Sequence, residues 1–100
     1  MVESEVIFET VKNGDLTKIK ELVSKTPRLV NVKNKYGETP LHWAVFRGKT
    51  RISKFLIKND ADINAKDAIG EAPLDIAIKK GHDSIVRALK ERGAERKEKV

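Results

Sequence analysis

Two histidines, His42 and His82, are the side chains best suited to acid–base or metal chemistry, and they lie 40 residues apart. A general base needs a nucleophile or substrate pocket beside it, and a metal site needs further ligands at close spacing. No acid pair stands at ligand spacing from either histidine, and the chain has no cysteine. A disulfide scaffold, a thiolate metal site and a cysteine nucleophile are therefore excluded. The six glycines are single and fall at turn positions, so no glycine-rich phosphate loop is present. Spacing supports no Ser-His-Asp arrangement. The residues read as those of a non-enzyme without cofactor or metal. His82, directly after Gly81, is expected in a solvated turn.

Cations are the other candidates. Lys and Arg number 21 against 15 Asp and Glu, a formal charge of +6. A basic balance favours nucleic acid, an anionic membrane or an acidic protein surface. The excess is spread evenly, however, at +2 in each of residues 1–36, 37–69 and 70–100. Abundant Lys and Glu with no Gln, no Cys and one Met also fit a thermophilic surface, which accounts for the charge without a ligand.

These side chains must be positioned by a small scaffold. One hundred residues allow one domain or one short array of repeats, and 39% apolar content with five aromatics gives an aliphatic core. The N-terminus, Met-Val-Glu-Ser-Glu, has no run of signal-peptide length. Nor does any apolar stretch approach the roughly 20 residues that cross a bilayer. The expectation is an intracellular, cytoplasmic protein with no membrane partner.

Internal periodicity organises the chain. Laying residues 37–64 over 70–97, a shift of 33, gives nine identities in 28 positions, among them Gly37/Gly70, Pro40/Pro73, Leu41/Leu74, Gly48/Gly81 and Leu56/Leu89. Average residue usage would give about two by chance. Asn31/Asn64 and Lys33/Lys66 share the shift. Gly14 precedes Gly48 by 34, which places one extra residue in the first unit, within Ser24–Val30. The units run over residues 4–36, 37–69 and 70–94, followed by a charged tail at 95–100.

Each unit carries the punctuation of two short helices. Thr39 is an N-cap and Pro40 takes the first helical position, where its missing N–H costs nothing. Leu41, Ala44 and Val45 make an i, i+3, i+4 face, and Gly48 ends the helix. A second helix starts near Thr50 and presents Ile52, Phe55 and Leu56, with Ile57 at its edge. The third unit repeats this with Leu74, Ala77, Ile78 and Gly81, then Asp83 as cap before Ile85, Val86 and Leu89. In the first unit the series is Ser4, Ile7, Val11, Gly14 and Asp15, then Ile19, Leu22 and Val23.

Isolated helices under about 12 residues are marginal, so each pair must bury its apolar face against the next. The ends of such a stack should be polar outside. Lys90 and Arg96 stand where the middle unit has Ile57 and Ile63, and Lys18 stands for Ile52. The fold class expected is all-α, a minimal helix–turn–helix solenoid with two caps around one full repeat.

Gly37-Glu38-Thr39-Pro40-Leu41-His42-Trp43-Ala44, the 33-residue period and Asp60-Ala61-Asp62-Ile63-Asn64-Ala65 resemble the ankyrin-repeat family over residues 4–94. The resemblance implies helix pairs joined by β-hairpin-like loops and protein binding on a concave face of loop tips and first helices. It makes His42 structural, its imidazole bonded to a neighbouring loop. Asp60 replaces the usual glycine of a left-handed turn, which Asp tolerates at some cost. Ala72 and Asp75 replace the Thr and His of the motif; losing a capping hydroxyl should loosen the last unit.

By the same resemblance, the residues before each turn glycine face the concave side. They form two rows, Lys12–Phe46–Lys79 and Asn13–Arg47–Lys80, with Lys33 over Lys66, Lys35 over Ala68 and Tyr36 over Ile69 in the loops. Phe46 lies outside the Leu41, Ala44 and Val45 face, and an exposed aromatic among cations has hot-spot composition. Trp43 is expected to pack, and Asn31 and Asn64 to form turns. The function expected is a non-catalytic protein-interaction module, monomeric, binding an acidic or mixed segment. Phe46, Tyr36 and Ile69 would anchor it and Arg47, Lys79 and Lys80 would steer it. Nucleic-acid binding through the basic rows is the alternative, and a scaffold or designed mini-array without a ligand is the third reading. Interspersed acids and the absence of a stacking aromatic series count against nucleic acid.

Overall fold

The computed structural model describes residues 2–94. The charged tail at 95–100, with Arg96, lies outside the described residues. The elements in order are α1 (Glu3–Asn13), α2 (Leu16–Lys25), a 3-10 segment (Pro27–Asn31), α3 (Pro40–Phe46), α4 (Thr50–Lys58), α5 (Pro73–Lys80) and α6 (Asp83–Glu91). No strand occurs among the described residues. The first helices α1, α3 and α5 pack side by side, and α2, α4 and α6 form a second layer behind them. Each element has at most 11 residues, so it is held by the neighbouring pair rather than by its own propensity.

Local chemistry sets the boundaries. Asp15 caps α2 by accepting from the Lys18 N–H at 3.0 Å. Thr39 Oγ1 accepts from the His42 N–H at 3.3 Å, and Pro40 opens α3. Asp83 is not the cap of α6. The N–H groups of Ile85 and Val86 donate to the His82 carbonyl, so the helix begins one residue earlier and Asp83 is its first residue. There its carboxylate still complements the positive end of the helix. Gly48 turns with φ 68°, and a Cβ there would meet the His82 ring at 2.9 Å. His82 is thus half-buried against the preceding repeat rather than solvated.

The core runs between the layers. Leu41, Ala44 and Val45 are fully buried, as are Ile7, Val11, Leu74 and Ala77. Burying such a side chain contributes about 1.5–3 kcal/mol. Ile78, in register with Val45 and expected in the core, is instead 37% exposed, because among the described residues no further helix packs on the outer side of α5. The second layer shows the same logic. In α4 both the Ile52/Leu56 row and the Ser53/Ile57 row are buried, whereas α2 buries only Ile19/Val23 and α6 only Ile85/Leu89. The 3-10 segment Pro27–Asn31 overlaps the stretch where the extra residue was expected, and it buries Leu29 and Val30.

Candidate interaction cleft

The loops that rim the site are organised by one residue each. Asn34 Oδ1 accepts from the N–H groups of Tyr36 and Glu38 at 2.9 and 3.0 Å. Asp67, 33 residues on, does the same for Ile69 and Glu71 at 3.1 and 2.9 Å. Such short side chains cap tight turns by replacing backbone partners. The Ala68 N–H donates to the Tyr36 carbonyl at 2.9 Å, tying one loop to the next. Tyr36 and Ile69 remain 57% and 68% exposed at the tips.

Below the loops, His42 joins the middle repeat to the last. The Thr39 N–H donates to His42 Nδ1 at 3.1 Å, which leaves the ring proton on Nε2, donated to the Glu71 carbonyl at 2.9 Å. With 1% exposure and both nitrogens engaged, the imidazole has no free position for general-base work. In the last repeat Asp75 replaces it. Its Oδ2 accepts from the Ala72 N–H at 2.9 Å, so one half of the cap survives the loss of the hydroxyl.

Asn31 does more than form a turn. Its amide donates to the Asp60 carbonyl at 3.0 Å and its Oδ1 accepts from the Asp62 N–H at 2.7 Å. It therefore grips the turn of the following repeat, where Asp60 adopts φ 69°.

A cleft of about 460 Å³ opens between α3, α5 and the loop bases. Phe46, Ile69, Lys79 and Lys80 line it, together with Trp43, Ile76, Glu38, Asp67 and Glu71. Phe46 is half-exposed at 50%, and Lys80 Nζ sits 4.3 Å from its ring centroid. The Trp43 Nε1–H donates to Glu38 Oε1 at 3.0 Å, and Phe8 meets the ring edge-on at 6.5 Å. Lys12 and Arg47 flank the same indole at 5.5 and 5.7 Å. The two rows thus interleave, with Lys80 reaching Phe46 and Lys12 meeting Arg47 across Trp43. Lys79 Nζ bonds Glu71 Oε2 at 2.6 Å, and that hydrogen bond and charge hold the ammonium above the ordinary lysine range. Asn13, Lys33 and Lys66 are exposed but do not line the cleft, and Lys35 lies 5.3 Å over the Tyr36 ring.

Asp67, Ile76 and the inward reach of Glu71 were not picked out from the sequence. The signal for Asp67 was its like-for-like register with Asn34, which falls outside the 28-position overlay. A second cleft, about 490 Å³ on the other layer near Lys20, Val23 and Phe55, contains none of the large exposed apolar residues. Among the described residues, no group of three or more His, Cys, Asp or Glu is placed to hold a metal ion, and no helix is long and apolar enough to cross a membrane.

The family model for ankyrin repeats, in three copies, matches residues 7–99. The chain belongs to the ankyrin-repeat family. Comparison with curated proteins gave no match. Ankyrin repeats serve in general as protein–protein interaction modules and are typically non-catalytic. The His42 bridge and the loop-to-loop bond join neighbouring ankyrin units beside the cleft.

Proposed function

We propose that this chain is a recognition module, a short ankyrin solenoid with hairpin-like loops that binds a protein segment on its concave face, in the cleft between α3 and α5. The half-exposed ring of Phe46, facing Ile69 and Ile76 across an open cavity, carries the reading. Water leaves apolar surface readily there, and the stacked helices hold the contact residues in place before binding. The charge of the cleft favours a mixed segment over a purely acidic one, because Glu38, Asp67 and Glu71 share it with Lys79 and Lys80. The module acts as a monomer inside the cell.

The test is affinity capture followed by titration of the captured protein against the wild type and Phe46→Ala. Truncation should weaken binding by more than about 1 kcal/mol while the melting temperature holds. Lower stability with unchanged affinity would make Phe46 a packing residue. Labelled RNA and DNA titrated at two salt concentrations distinguish the phosphate-binding alternative, since that binding falls steeply with salt.

A further inference from the structure

The cleft is charged in one direction. Glu38, Asp67 and Glu71 line it at the loop bases, at the N-terminal ends of α3 and α5, while Lys80 lines it at the C-terminal end of α5. With seven and eight residues in the two helices, the poles are about 10–12 Å apart at 1.5 Å per residue. Helix dipoles favour each sign at its own end. Trp43 and Ile76 line the wall between the poles, and Phe46, the last residue of α3, lies at the basic one beneath Lys80.

The acidic pole keeps capacity. Asp67 uses Oδ1 to cap its loop, and Glu38 uses Oε1 for Asn34 and Trp43. Glu71 is 14% exposed at its side chain and is met from the rim by Lys79, which is 64% exposed. Lys79 thus occupies the carboxylate that an incoming cation would find, and exchange of one ammonium for another is nearly neutral in charge.

We infer that the cleft selects its partner by charge order: a peptide segment with an apolar side chain seated on Phe46, a basic residue toward Glu71 and Asp67, and an acidic residue toward Lys80. This deepens the proposed function and rests on it. In an extended segment the two charged residues stand three or four positions apart, at about 3.3 Å per residue. Lys79 acts as an internal stand-in for the partner's cation.

The experiment selects binders from a phage-displayed random dodecapeptide library on the full chain, with Phe46→Ala as the counter-target. Phe46-dependent peptides should share a basic, an apolar and an acidic residue in one order. Selection on Lys80→Glu, checked for unchanged melting, should retain the basic and apolar positions and lose the acidic one. Lys79→Met should raise the affinity of the selected peptides severalfold. Phe46-dependent peptides that are uniformly acidic, or in no fixed order, would overturn the charge-order inference and leave the proposed function standing. Absence of any Phe46-dependent binder would overturn both.

Discussion

His42 Nε2 in the middle repeat donates to the backbone carbonyl of Glu71 in the last repeat across 2.9 Å, while Nδ1 holds the start of its own helix. One side chain therefore fixes both a cap and the distance between neighbouring units. His42→Ala leaves the Glu71 carbonyl and the Thr39 N–H without these partners and opens a cavity. Urea denaturation should show a loss of about 2–4 kcal/mol. A loss below about 1 kcal/mol would show that the loops hold themselves in place.

Asn31 and Asp60 form a second such pairing. Because Asn31 binds backbone groups of the following turn, Asn31→Ala should cost about 1–2 kcal/mol in the same assay. Asp60→Gly should instead stabilise by about 0.5–1 kcal/mol, since the left-handed φ is retained without a Cβ. A destabilised Asp60→Gly protein would mean that the carboxylate contributes a contact of its own.

Ser53 is wholly buried in α4, and its hydroxyl has no hydrogen-bond partner among the described residues. Ser53→Ala removes an unpaired polar group and improves helix propensity, so the protein should gain about 1 kcal/mol. Thermal melting followed by circular dichroism measures this directly, and a lowered midpoint would reveal an unseen partner of the hydroxyl.

Much of this is legible in the sequence. The period, the Thr39-Pro40 opening and the glycine turns are local chemistry, and each unit displays them in its own residues. What was missed depends on the neighbour. Ile78 has the same pattern as Val45, yet among the described residues only Val45 has a following first helix to cover it. His82 looks like a turn residue until Gly48 of the preceding unit is placed beneath it. Asn31 reads as a turn former because its partners lie 29 and 31 residues away. Within the cleft, Phe46 was visible as an apolar residue off the core face, but the pairing of Lys79 with Glu71 joins residues eight apart and follows from the loop's path.

The contrast between Val45 and Ile78 yields a matched pair of substitutions. Val45→Lys buries an unpaired ammonium and should cost about 3–5 kcal/mol, enough to unfold a small domain. Ile78→Lys can extend its charge into water and should change stability by less than about 1 kcal/mol. Equal penalties at the two positions, read from denaturant midpoints, would mean that the outer side of α5 is covered in solution.

Asp75 gives the molecule a direction of growth. Because it closes its own cap with a carboxylate, a unit appended after it would bring a loop carbonyl toward negative charge rather than toward an imidazole proton. Copies of the middle unit spliced in ahead of residue 70 meet no such obstacle, since each would carry its own histidine link. Longer relatives of this protein are therefore best engineered from the inside outward, with Asp75 kept as the terminus of the register.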